Sequence, residues 1–189
     1  MRETNNKFPL ENVTDIGSFE TIFKQHYAML CARAWRFVQD KDIAEDIVQD
    51  VFYNLWKKRD ELHIHTSIAS YLHATTVNFA LNYLKKRQSG SNRDNFFQSE
   101  TYRETNSTED YIFAKETNRE IDLALSKLPE ACRAVFVLSR FENLSYKAIA
   151  LQLNISVKTV ENQIGKALKI MRSELMAFAI YFILIFYFQ

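Results

Sequence analysis

Between Ser156 and Arg172 the chain carries Lys158, Thr159, Glu161, Asn162, Gln163, Lys166, Lys169 and Arg172, a set with the chemistry of nucleic-acid contact. Ammonium and guanidinium groups neutralise phosphates, while amides and hydroxyls hydrogen-bond base edges. Helical spacing assigns Val157, Val160, Ile164, Ala167, Leu168 and Met171 to the inward side of one helix and leaves the polar set facing out. A shorter helix precedes it, with Ser145 able to cap its free N–H groups, Ile149 and Leu153 forming a buried pair at i, i+4, and the small Ala148 and Ala150 permitting close crossing. Asn154 tolerates the left-handed conformation that a tight corner needs, Ile155 fills that corner, and Ser156 can cap the second helix. This is the pattern of a DNA-binding helix-turn-helix. An ordinary helical hairpin with a solvated basic face shares the periodicity, and only the pairing of a capped corner with a base-reading face separates the two.

Two further groups of residues can do chemistry. Asp46, Gln49 and Asp50 place two carboxylates and an amide on one face of a helix, which suits an arginine-rich partner helix. Acids near a helix start also compensate the dipole and aid solubility, and Asp40, Asp42, Glu45, Asp46 and Asp50 are accompanied only by Lys41 over this stretch. Downstream, Tyr71 offers a ring, Asn78 and Asn82 at i, i+4 offer two amides, and Lys85, Lys86 and Arg87 form a positive track. Stacking faces, amides and backbone-tracking cations are what single-stranded bases need. Tyr71 equally fits a half-buried core position. His63 and His65, spaced i, i+2, have no Cys, Asp or Glu at a recognisable ligand spacing, so no metal site and no cofactor is expected.

The elements that must carry these residues are helical. Only 3 Gly and 2 Pro occur in 189 residues, which favours an all-α chain of one or two small domains. The net charge of +1 is unhelpful for a DNA binder until it is followed along the sequence, where an acidic region and two basic ones separate and imply a protein partner as well as nucleic acid. Periodicity predicts helices over Phe19 to about Val38, Asp42 to about Lys58, Ser67 to about Lys86, and Asp110 to Lys127, with Pro129 as the first residue of the next. The polar stretch from Gln88 to about Ser107 lacks periodicity and reads as a linker, in which Phe96, Phe97 and Tyr102 are candidates for transient docking. The expected organisation is therefore a helical domain over 17–88, a flexible linker over 89–109, a second helical domain over 110–174 and an apolar tail over 175–189. Cys31 and Cys132 lie among apolar residues as buried reduced thiols, and the polar N-terminal stretch shows no signal peptide, so the chain is expected in the cytoplasm.

The run LPEACRAVFVLSRFENLSYKAIALQLNISVKTVENQIGKALKIMR, Leu128 to Arg172, resembles region 4 of the extracytoplasmic-function group of sigma-70-type RNA polymerase sigma factors, in detail those of Bacteroides-like bacteria. The family usually has Gly where this chain has Asn154. A similar helix-turn-helix ends LuxR-type response regulators, so the N-terminal half discriminates. There DIAEDIVQDVFYNLW, Asp42 to Trp56, resembles region 2.2, and IHTSIASYLHATTVNFALNYLKKRQ, Ile64 to Gln88, resembles regions 2.3 and 2.4. The resemblance implies that Asp46, Gln49 and Asp50 meet the β′ clamp of core RNA polymerase. It implies that the loop of His63, His65, Thr66 and Ser67, together with Tyr71, Asn78, Asn82, Lys85, Lys86 and Arg87, melts and reads the −10 element. For the −35 element it implies Ser156, Lys158, Thr159, Glu161, Asn162, Gln163 and Lys166. It further implies contact with the β flap, a FecR-like anti-sigma factor in the membrane, a target operon for an outer-membrane nutrient transporter, and no catalysis by the chain itself. A LuxR-like regulator acting on duplex DNA alone and a membrane-tethered helical adaptor are the alternatives.

The stretch Leu175 to Phe188, LMAFAIYFILIFYF, is an unbroken apolar run of 14 residues. As a helix it extends about 21 Å, against a bilayer core of about 30 Å. It also lacks the polar face of a surface-lying amphipathic helix. Burial against the C-terminal domain, contact with a partner, and partial membrane insertion remain open from the sequence.

Overall fold

The computed structural model describes residues 15–60, 67–89 and 116–187, with the side chains of 88–89, 116–119 and 177–187 left aside. Among the described residues there are seven α-helices and no strand: α1 (Ile16–Val38), α2 (Lys41–Lys57), α3 (Ile68–Ser89), α4 (Glu116–Ser126), α5 (Glu130–Arg140), α6 (Tyr146–Leu153) and α7 (Val157–Tyr187). The fold is all-α, and the helix starts are chemically marked. Asp15 caps α1 by accepting from the Ser18 N–H at 2.9 Å, a contact that also holds the Asp15 pKa below its ordinary value. Ser67 opens α3 by accepting from the Ser70 N–H at 3.1 Å. Pro129 sits one residue earlier than expected, as the N-cap of α5 with φ −52° and ψ 143°, an extended conformation that the pyrrolidine ring already favours.

The chain divides into two compact units, one drawn from residues 1–35 and 41–82 and the other from 36–40 and 83–189. In the first, the apolar stripes of α1, α2 and α3 supply Ile22, Leu30, Val48, Val51, Leu55 and Leu72, all essentially without exposure. A ring cluster joins α1 to α2: Phe19 lies 5.0 Å from Trp56 and Phe23 lies 4.8 Å from Phe52, centroid to centroid. Thr76 is fully buried because its hydroxyl donates to the Leu72 carbonyl at 2.8 Å within α3. His26 is buried as well, and its Nδ1, like His73 Nε2, has no hydrogen-bond partner among the described residues. Burial first, then the charge of Arg33 and the neighbouring His26, hold the His73 pKa below the ordinary 6.5.

In the second unit α7 packs against α4, α5 and α6, and Leu125, Val135, Leu138, Ile149, Val160 and Ala167 close the core. Arg133 of α5 is 6% exposed, with Nε donating to the Phe37 carbonyl at 3.1 Å and Nη1 to the Leu128 carbonyl at 3.0 Å. Burial, aided by Arg87, pulls its pKa down to about 10. Cys31 and Cys132 are buried and form no disulfide, as expected.

Two inward assignments on α7 are corrected. Val157 and Leu168 are exposed, at 38% and 43%. The inward row runs Val160, Gln163, Ile164, Ala167 and Met171, at i, i+3, i+4, i+7 and i+11, so Leu168 at i+8 stands at the edge of the row and Val157 sits at the exposed helix start. The apolar tail is also no separate element, since α7 continues through it without a break to Tyr187.

Candidate nucleic-acid and polymerase interfaces

The helix-turn-helix is built as its residues dictate. Ser145 caps α6 by accepting from the Ala148 N–H at 3.2 Å, and Ile149 and Leu153 are buried beside Ala150. Asn154 ends α6 at φ 55° and ψ 49°, in the left-handed region, with its N–H turned back to the Ala150 and Leu151 carbonyls. Asn143, in the turn before α6, has φ 55° too, a second left-handed Asn that the sequence reading did not single out. Ser156 then caps α7, accepting from the Thr159 N–H at 3.0 Å while its hydroxyl lies 2.8 Å from that of Thr159.

The outward face of α7 holds Lys158, Glu161, Asn162, Lys166, Lys169 and Arg172, all exposed. Lys158 and Glu161 pair with each other at 3.2 Å, so Lys158 meets a phosphate only by exchanging that exposed carboxylate, which costs little in water. Ser156 and Thr159 are already engaged in the helix cap. Gln163 does not join this face. It is 6% exposed and its Oε1 accepts from the Cys132 thiol of α5 at 2.8 Å. It occupies the position three residues after Val160 that belongs to the inward row. Burial pushes the Cys132 pKa up, which keeps the thiol protonated and able to donate. Gln163 is thus a structural tie, contrary to the reading that placed it among the base-contacting residues.

On α2 the acidic set is gathered as expected. Asp46, Gln49 and Asp50 are exposed on the side opposite the buried Ala44, Ile47, Val48 and Val51, and neither aspartate forms an ion pair among the described residues. Tyr53, 62% exposed, lies one turn beyond Gln49 and adds an unforeseen aromatic edge. Its exposed position at i+4 from Gln49 and i+3 from Asp50 was the available clue. The result is a row of carboxylates, amide and ring, a surface that fits a cationic helix.

On α3, Asn78 and Asn82 are exposed one turn apart, while Tyr71 is half-buried. Ser67 spends its hydroxyl on the α3 cap, and His63, His65 and Thr66 lie outside the described residues. Lys85, Lys86 and Arg87 are exposed but belong to the second unit, where Arg87 pairs with Glu130 and Lys85 Nζ donates to the Gln152 carbonyl at 3.4 Å. The linker aromatics Phe96, Phe97 and Tyr102 also lie outside the described residues. Among the described residues no group of three or more His, Cys, Asp or Glu could hold a metal ion.

Residues 22–90 match the family described as Sigma-70 region 2, and residues 118–171 match Sigma-70, region 4. The chain belongs to the sigma-70 family, with the two regions in the order region 2 then region 4. Within it the similarity is to the extracytoplasmic-function group. The chain is 25% identical to the ECF RNA polymerase sigma-E factor of Escherichia coli over 161 residues, 81% of this chain and 84% of that protein. It is 23% identical to the RNA polymerase sigma-H factor of Pseudomonas aeruginosa over 161 residues, 81% and 83% of the two chains. The fold is similar to that of the sigma factor RpoE of Bartonella quintana, solved in complex with the anti-sigma factor NepR, with a TM-score of 0.55 and 19% identity across 85% of this chain and 98% of that one.

Proposed function

We propose that this chain is a dissociable promoter-specificity subunit of bacterial RNA polymerase, acting in the cytoplasm and performing no catalysis itself. The observation that carries the reading is the coexistence, in one sigma-70 chain, of an exposed acidic row on α2 and a capped helix-turn-helix with a cationic outer face on α7. Asp46, Gln49 and Asp50 dock on the β′ clamp, where paired carboxylates meet cationic side chains. Lys158, Asn162 and Lys166 enter the −35 major groove, the lysines on phosphates and the amide on a base edge, with Glu161 opposing one lysine and setting its position. Region 4 also meets the β flap. Asn78 and Asn82 act in opening the −10 element, since amides on an exposed helix face gain base-edge contacts only once a base has left the stack. The segment from His63 to Ser67 captures that base, and Lys85, Lys86 and Arg87 follow the backbone.

Regulation by an anti-sigma factor extends the reading, supported by the fold shared with an RpoE solved with NepR, and the family resemblance narrows the partner to a FecR-like membrane protein. A LuxR-like regulator would need the helix-turn-helix but not the acidic row of α2. The test is permanganate footprinting of a promoter duplex with core polymerase and the full chain. Thymines of the −10 element should become reactive with the wild-type chain and stay protected with Asn78→Ala/Asn82→Ala, although both hold the −35 duplex. Equal reactivity with both chains would remove the opening role of α3, and protection of duplex DNA without core would favour the LuxR-like reading.

A further inference from the structure

The recognition helix does not stop where its domain stops. Among the described side chains of α7, Met171, 6% exposed, is the last one seated in the core of the second unit, and Arg172, Ser173, Glu174, Leu175 and Met176 that follow are all exposed. Five consecutive residues at about 100° per step sample every side of a helix, so α7 stands clear of the other described helices of its own unit at this point. From there the helix continues to Tyr187 through Leu175, Met176, Ala177, Phe178, Ala179, Ile180, Tyr181, Phe182, Ile183, Leu184, Ile185 and Phe186. A helix that is apolar all round is stable only where its whole circumference is shielded from water. A single docking groove or a single partner helix covers one side and leaves the others wet.

We propose that this extension of α7 inserts into one leaflet of an anionic lipid bilayer. Charge favours this occupant: the exposed Lys166, Lys169 and Arg172 stand at i, i+3, i+6 immediately before the apolar run, opposed only by Glu174, and basic residues at that position are drawn to an anionic leaflet. Composition agrees, because Phe178, Tyr181, Phe182, Phe186, Tyr187 and Phe188 make the segment rich in rings, and tyrosine places its hydroxyl among headgroups while its ring stays in the acyl region. Length sets the depth. No helix among the described residues is long and apolar enough to cross a membrane. The described part of the helix reaches about 20 Å beyond Leu175, a length that enters one leaflet obliquely. Because the recognition face and the inserted segment belong to one helix, and Lys166 and Lys169 serve both phosphodiesters and lipid headgroups, bilayer attachment and promoter contact compete for the same cations.

The test is flotation of the full chain on a density gradient after cell-free synthesis in the presence of phosphatidylethanolamine vesicles containing phosphatidylglycerol. The full chain should float. A chain ending at Glu174, and the full-length Ile180→Asp/Leu184→Asp variant, should stay at the bottom with unchanged far-UV circular dichroism per residue in the folded domains. Vesicles of phosphatidylcholine alone should hold at least about tenfold less of the wild-type chain, for the loss of attraction to three cations. The proposal is overturned if the full chain remains at the bottom, if it forms a tail-dependent oligomer that does not float, or if either variant floats like the wild type. The result is independent of transcription, since a chain that fails to float can still direct initiation.

Discussion

Gln163→Ala separates a residue that reads DNA from one that holds the reader in place. Gln163 is 6% exposed and tied to Cys132 at 2.8 Å, so truncation removes one buried hydrogen bond, leaves the thiol unpaired and opens space between α5 and α7. The bond contributes about 0.5–1.5 kcal/mol, and the lost packing brings the total to about 1–3 kcal/mol. For a unit of this size that lowers the midpoint of thermal unfolding by roughly 5–15 °C. Gln163→Leu, which keeps the volume and sacrifices only a weak thiol donor, should cost under about 1.5 kcal/mol. Asn162→Ala, one residue earlier and exposed, should leave stability within about 0.5 kcal/mol of wild type. It should instead relax preference at one −35 base pair by about 1–3 kcal/mol. The assay is thermal unfolding of the full chain followed by circular dichroism, with amide hydrogen exchange in α5 assigning the loss to the second unit, alongside competition binding of single-base promoter variants by the holoenzyme. If Gln163→Ala unfolds at the wild-type temperature and loses discrimination at one base pair, the buried placement of Gln163 is wrong and the residue is a reader.

Asp46→Lys/Asp50→Lys should leave the fold intact, since both positions are exposed, yet weaken core polymerase binding by about 2–5 kcal/mol, at least about thirtyfold, in a fluorescence titration; undiminished binding would detach α2 from the clamp. At the corner, Asn154→Gly should be neutral or stabilising by up to about 1 kcal/mol, whereas Asn154→Val should cost about 1–2 kcal/mol or more, because φ 55° penalises a β-branched residue; urea denaturation measures both, and equal midpoints would contradict the left-handed corner. The lowered His73 pKa makes the neutral imidazole the native form. The unfolded chain therefore binds more protons, and the stability contributed by His73 is full above pH 6.5 and lost as the pH falls towards the folded value. His73→Gln should flatten that dependence in urea denaturation between neutral and mildly acid pH, and an unchanged slope would assign it to another group.

The helices and the helix-turn-helix were legible because their signals are local. Ser145, Asn154 and Ser156 are chosen for what they do to the backbone one to three residues away, and the structure uses all three as their chemistry suggests. The acidic row of α2 was legible for the same reason, as positions i, i+3 and i+4 share a face whatever the tertiary context. Gln163 was not. Its polarity argued for the outward side, but it stands in register with Val160, Ile164 and Ala167, and what makes that position habitable is the thiol of Cys132, thirty-one residues away in sequence. Arg133 shows the same limit: nothing local announces that a guanidinium will be satisfied by the carbonyls of Phe37 and Leu128. Register in the helix and the identity of the distant partner together decide such cases.

The central claim is that the chain is a sigma subunit, and run-off transcription with reconstituted core RNA polymerase tests it most directly. Core alone should give no defined product from a cognate promoter; core with the wild-type chain should give one discrete transcript, and core with Asp46→Lys/Asp50→Lys should give none at the same concentration. A chain that shifts duplex promoter DNA by itself but never co-elutes with core, nor directs a discrete transcript from any promoter in a genomic library of its own source, would contradict the account.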